Sequence, residues 1–198
     1  MLMSSLQTSN GIIVVISGPS GVGKGTICKE LVKRLNYACL SVSVTTRART
    51  PKEVDGKDYW FVGKDEFQRR IENGLLLEHA EVFGNFYGTP KDKVDKAIAA
   101  GKVVILEIDV QGGKQIKKLY PDTVMVFILA PTTKELAGRL HGRGRDDEET
   151  AKRRLSQASK EIAVARQDYQ YMVTNDRLET AVNEIIGIIE TARKTKQK

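Results

Sequence analysis

The stretch Ile12–Val32, "IIVVISGPSGVGKGTICKELV", decides the fold class. The apolar run Ile12–Ile16 is the pattern of a strand buried on both faces. Gly18, the four residues Pro19, Ser20, Gly21 and Val22, then Gly23 and Lys24 match the spacing Gly-x-x-x-x-Gly-Lys. After the loop, Ile27, Cys28, Leu31 and Val32 recur at helical spacing. Glycines let consecutive backbone N–H groups turn inward around phosphate oxygens, and a lysine adds a cation. Strand, glycine loop and helix in that order are the context a phosphate loop requires; a plain glycine-rich turn is the alternative. One position departs from the pattern. Gly25 stands where a magnesium-binding hydroxyl usually follows the lysine, and Thr26 comes one residue late.

Outward from this loop, Leu40–Val44 reads as a second strand, followed by the polar, basic stretch "TTRARTPKEVDGKD" over Thr45–Asp58. Tyr59–Val62 reads as a short strand, Lys64–Asn73 as a helix and Leu75–Val82 as a strand ending at the Gly84-Asn85 turn. These short pieces predict a small mixed lobe. Lys91–Ala100 is expected to be helical. Val103–Ile108 and Val124–Leu129 are apolar strands, the first ending on Asp109, well placed to face phosphate and metal. Thr133–Leu140, Glu148–Asp168 and Leu178–Arg193 read as helices, with Tyr171–Thr174 a short strand. Strands alternating with helices predict an α/β core: a parallel sheet covered on both faces, with function at the carboxyl ends of its strands.

A chain of 198 residues can bury a substantial core as one domain. Its net charge of +7 favours anionic partners, of which nucleotides, nucleic acid and a membrane surface are the classes to weigh. No stretch approaches the roughly 18 apolar residues of a membrane span, and Met1–Asn10 lacks a signal-peptide core. Cys28 and Cys39 have no metal-ligand spacing, so a reducing cytoplasm is expected. His79 and His141 have no nucleophile at a telling distance and are read as structural.

The segments "SVSVTTR", "EVDGKDYWF", "LLLEHAEVFGNFYGT", "ILEIDVQG" and "RLHGRGRDDEE", in that order after the phosphate loop, make the chain resemble the guanylate kinases from about Ile13 to Ala192. The resemblance implies a P-loop kinase core over residues 11–42, 91–140 and 150–193, a nucleotide-monophosphate lobe over 43–90 and a lid over 141–149. It implies transfer of phosphate from ATP to GMP, with dGMP as a second acceptor, and Mg2+ as cofactor.

The residues suit that chemistry. Guanine presents a ring N–H beside an amino group, a paired donor edge that one carboxylate accepts bidentately, whereas adenine has a bare acceptor there. Glu78 matches the base-reading position; Ser43 and Thr89 are placed to donate to the guanine carbonyl, and Asp109 to take the other amino hydrogen. Arg47, Tyr59 and Tyr87 match positions on the acceptor phosphate. The family commonly reads Thr-Thr-Arg-x-Pro-Arg-x-Gly-Glu, but "TTRARTPKE" puts Thr50 at the second arginine, with Arg49 one residue earlier and Lys52 at the glycine, so Arg49 is the candidate to reach the GMP phosphate from a shifted turn, the alternative being that this contact is absent.

For ATP, Lys24 and the N–H groups from Gly21 to Thr26 are expected on the phosphates. Arg139, Arg143 and Arg154 match lid-side positions that meet the transferring group. Asn175 and Asp176 resemble the loop near adenine. With Gly25 in place of a hydroxyl, no direct protein ligand to magnesium is expected. The ion would ride on the ATP phosphates through water, with Glu107 and Asp109 anchoring part of its shell; the resemblance also places both among the residues that bind GMP. ATP and GMP are thus the expected partners, with neither nucleic acid nor membrane, and a homodimer is left open. The competing reading is a catalytically silent guanylate-kinase-like module that binds proteins; the intact Gly18, Gly23 and Lys24 beside Arg47, Glu78 and Asp109 argue against it. A P-loop kinase of a phosphorylated sugar, or a basic nucleic-acid binder, is disfavoured by Glu78 with Thr89 and by the lack of an arginine and aromatic platform.

Overall fold

The structure, a computed structural model, describes residues 11–141 and 148–196. In chain order these residues form β1 (Ile12–Ser17), α1 (Lys24–Arg34), β2 (Ala38–Leu40), β3 (Val44–Thr45), β4 (Trp60–Phe61), α2 (Lys64–Glu72), β5 (Leu76–Val82) and β6 (Asn85–Pro90). The second half continues with α3 (Lys91–Ala99), β7 (Val103–Glu107), α4 (Val110–Leu119), β8 (Val124–Leu129), α5 (Thr133–His141), α6 (Glu148–Asp168), β9 (Tyr171–Thr174) and α7 (Leu178–Lys196).

β1 is buried along its whole length because it lies at the centre of a five-stranded parallel sheet, order β2-β7-β1-β8-β9. Side chains alternate across a strand, so Ile12, Val14 and Ile16 pack into one core with Ile27 and Leu31 of α1 and Ile185 and Ile189 of α7. Ile13 and Val15 face the other way, into a core with Val94 of α3, Ile116 of α4 and Ala165 of α6. Both faces are therefore covered, as a parallel sheet requires, and the loops after the strands gather at one end.

A second sheet of four strands, order β4-β3-β6-β5, is built from residues 44–90. Its β5–β6 hairpin turns through Phe83 and Gly84 with φ of 50° and 75°, both in the left-handed region that suits the twist of a tight hairpin.

Two features differ from the periodicity. Leu40–Val44, predicted as one strand, is split between sheets. Ser41 N–H still donates to the Ile105 carbonyl (3.0 Å), but by Val44 the chain pairs with Trp60 and Gly88 instead. A buried apolar alternation cannot say that consecutive residues serve different sheets. The helix α4 escapes the apolar pattern because "VQGGKQIKKL" carries two glycines; Asp109 starts it, accepting the Gly112 N–H at 3.0 Å, and Ile116 anchors it in the core. Arg143 and most of the lid expected over 141–149 lie outside the described residues.

Candidate active site

The loop between β1 and α1 is shaped by two close approaches that only glycine allows. At Gly18 (φ 149°) a Cβ would stand 2.6 Å from the Ile128 carbonyl oxygen, and at Gly23 (φ 101°) 2.6 Å from Asn175 Nδ2. Gly23 is also the N-cap of α1 and offers no side-chain cap, so the first N–H groups of the helix are left for an anion. The loop is propped from behind. Asn175 Nδ2 donates to the Val22 carbonyl at 2.8 Å, and Arg139 donates to the carbonyls of Val22 (3.4 Å) and Asn175 (3.2 Å). Lys24 Nζ donates across the loop to the carbonyls of Gly18 (2.6 Å) and Pro19 (3.1 Å). Arg154 Nη1 reaches from α6 to Ser20 Oγ (3.2 Å). Thr26 is exposed on the first turn of α1, and Asp176 is exposed beside Asn175.

One strand over, Glu107 ends β7 next to the loop. A Cβ on Gly25 would sit 3.4 Å from Glu107 Oε2, in ordinary contact with it, so this carboxylate lies directly beside the helix start.

Across from the loop, the small sheet and the start of α4 hold a second polar group. Glu78, on β5, is only 3% exposed, and its Oε1 accepts a hydrogen bond from Thr89 Oγ1 at 2.7 Å. The hydroxyl proton expected to serve a base carbonyl is thus directed at Glu78. Burial pushes the Glu78 carboxyl up to about 7; hydrogen bonds from Thr89 oppose the rise and Asp109 adds to it. The other oxygen, Oε2, lies against Gly112 so closely that a Cβ there would overlap it. Asp109 Oδ2 accepts from Gln111 Nε2 at 3.0 Å while Oδ1 caps the helix. Ser43 is buried, its carbonyl accepting the Trp60 N–H at 2.8 Å.

Arg47, Tyr59 and Tyr87 come together as expected: the tyrosine rings meet edge to face at 5.9 Å, and the Arg47 guanidinium lies 5.4 Å from the Tyr59 ring centre. Glu53 binds that guanidinium bidentately, at 2.5 and 3.1 Å, which holds its own carboxyl down at about 2. Burial, with Glu107 nearby, raises the Tyr59 phenol to about 12, so it remains a donor. Arg49 is exposed on the turn, whereas Thr50 Oγ1 donates to Glu53 Oε2 at 2.8 Å, inside the cluster where the second arginine would have stood.

Glu53 and Gly112 were not identified from the sequence as site residues. Glu53 does sit at the glutamate of the family pattern, a signal that was available; Gly112 has none, because its role is the space it leaves. A third group also emerges only from the fold. Tyr169 donates its hydroxyl to Ser17 Oγ (2.6 Å), which donates to the Ile108 carbonyl (2.7 Å), tying α6 to the ends of β1 and β7. A cavity of about 480 Å3 opens between the hairpin turn, α4 and α6, lined by Phe83, Asp109, Gln111, Gln157, Lys160 and Glu161 among others.

A glycine loop opening a helix from the central strand of a parallel sheet, faced by a buried carboxylate and an arginine with two tyrosines, defines a P-loop phosphotransferase. A sequence model of the guanylate kinase family matches residues 10–192. The guanylate kinase of Carboxydothermus hydrogenoformans is 48% identical over 95% of this chain and 91% of its own length, and that of Clostridioides difficile 45% identical over 92% and 89%. The crystal structure of guanylate kinase from Anaplasma phagocytophilum superposes with a TM-score of 0.79 at 35% identity, covering 96% of this chain and 89% of that one. The chain belongs to the guanylate kinase family. Among the described residues, no helix is long and apolar enough to cross a membrane.

Proposed function

We propose that the protein transfers the terminal phosphate of ATP to GMP, giving ADP and GDP. The observation that carries this is Glu78. A carboxylate buried to this degree, with one oxygen fixed by Thr89, needs a partner with paired donors, and the guanine edge supplies them. The small sheet of residues 44–90 serves as the acceptor lobe.

Arg47, Tyr59 and Tyr87 hold the acceptor phosphate. Arg47 gives two N–H donors to Glu53 and one to the Ala48 carbonyl, leaving two of its five for the ligand. An oxygen of the GMP phosphate attacks the terminal phosphorus of ATP while the bond to the bridging oxygen breaks, and ADP leaves. No general base is needed, because a nucleotide phosphate is already largely a dianion at pH 7. Lys24 exchanges the carbonyls of Gly18 and Pro19 for phosphate oxygens, and the N–H groups at the start of α1 meet the charge that spreads over the transferring group. Arg139 and Asn175 keep the loop in shape from behind, and Arg154, which reaches Ser20, neutralises charge at its mouth.

Among the described residues, no group of three or more histidines, cysteines and acids is disposed to hold a metal directly. Glu107 beside Gly25, with Asp109, fits the outer shell of a hydrated magnesium ion carried by ATP, which would neutralise phosphate charge.

Release of ADP from ATP with GMP, AMP, CMP or UMP as acceptor tests the proposal. GMP is expected to exceed AMP by about 10⁴-fold, since adenine would leave Glu78 facing an acceptor. Comparable rates with AMP and GMP would overturn it.

A further inference from the structure

Phe83 is an unlikely residue for its position. It is 46% exposed at the tip of the β5–β6 hairpin, and among the described residues it alone is a non-glycine with positive φ, at 50°. Asparagine or glycine is favoured there, and a bulky aromatic is disfavoured by both its backbone angle and its exposure. Its ring does have a partner. The Arg154 guanidinium lies 5.4 Å from the ring centre, and the same guanidinium donates from Nη1 to Ser20 Oγ of the phosphate loop at 3.2 Å.

Three segments distant in sequence thus meet at one side chain: the hairpin of the small sheet, the helix α6 and the phosphate loop. A ring against the planar guanidinium restricts the rotation of a long arginine side chain and fixes the plane in which its donors point. We propose that Phe83 is a positioning residue: its ring holds Arg154 at the mouth of the phosphate loop and so couples the tip of the acceptor sheet to the site of transfer. The proposal rests on the reading above, that Arg154 neutralises charge at the transferring phosphate. It accounts for an apolar side chain at a position whose turn geometry and exposure favour another residue.

The test is a set of four variants of the full chain: Phe83→Asn, Phe83→Tyr, Arg154→Ala, and Phe83→Asn combined with Arg154→Ala. Phe83→Asn suits the left-handed turn, so its melting temperature should equal or exceed the parent's, which separates positioning from folding. Its kcat should fall roughly 3- to 30-fold, the range of one cation–π contact, while the KM for GMP stays unchanged. Phe83→Tyr should keep the parent's rate. In the Arg154→Ala background, Phe83→Asn should cause no further loss, because the ring would have nothing left to position. A Phe83→Asn enzyme with the parent's kcat, or one that slows Arg154→Ala as much as it slows the parent, would overturn the proposal. If Arg154→Ala itself runs at full speed, the placement of Arg154 at the phosphates fails too. Absence of GMP-dependent ADP release in the parent would instead reject the proposed function.

Discussion

Gly112 lies directly against the carboxylate of Glu78: a methyl group on its Cα would overlap Glu78 Oε2, and only the bare backbone of α4 leaves that oxygen its place. Gly112→Ala should therefore displace the carboxylate from its hydrogen bond with Thr89. Overpacking of this kind costs about 1–3 kcal/mol, so the KM for GMP is expected to rise roughly tenfold or more. The KM for ATP should change little. An unchanged KM for GMP would show that Glu78 has room to move.

The raised Glu78 carboxyl predicts a pH dependence of acceptor binding. Protonated, it no longer accepts two donors, so GMP affinity should fall as the pH drops from 8 to 6.5, a window above the second pKa of the nucleotide phosphate, near 6. Titration calorimetry of the parent against Glu78→Gln would separate the two groups: the variant should bind more weakly and lose this dependence.

The same group sets a sign for stability. Unfolded, the carboxyl ionises near its ordinary 4.5, and folded near 7, so between these values the native state binds more protons. Stability should then fall as pH rises through this window, by about 3 kcal/mol from this residue. Urea melts of Glu78→Gln should lack that portion of the slope.

Glu53 orients Arg47 through two hydrogen bonds and remains ionised across the working pH range. Glu53→Gln keeps the shape but gives up one acceptor oxygen and the charge. Charge-assisted bonds are worth about 1.5–3 kcal/mol, and with the guanidinium released the KM for GMP should rise by roughly tenfold. A lower KM would mean that Glu53 competes with the acceptor phosphate for Arg47.

At the phosphate loop, Gly25→Ser places a hydroxyl within reach of Glu107 and should be tolerated, whereas the branched side chain of Gly25→Val would crowd the same carboxylate. Thr26→Val removes a hydroxyl exposed at the helix start and should weaken ATP use by about 1–3 kcal/mol. Steady-state kinetics with varied ATP check all three: an unaffected Thr26→Val enzyme would remove that hydroxyl from the ATP site, and a Gly25→Val enzyme as fast as the parent would show that Glu107 is not crowded as argued.

The amino-acid sequence alone determined the parallel core and its phosphate loop, because both depend on local signals: an apolar run long enough to be buried on two faces, and glycines at fixed offsets before a lysine. The Arg47, Tyr59 and Tyr87 grouping was likewise legible, from motif positions. Tertiary structure decided what those residues touch. Thr89 bonds Glu78 rather than standing free, Asn175 supports the phosphate loop through Val22, and Glu53 holds Arg47. It also decided the split of Leu40–Val44 between two sheets, and the empty space at Gly112 that Glu78 occupies. Such facts escape a linear pattern for a physical reason: a hydrogen bond or a steric exclusion depends on distances of a few tenths of an ångström between segments brought together only by folding, and an absent side chain leaves no mark in its own sequence neighbourhood.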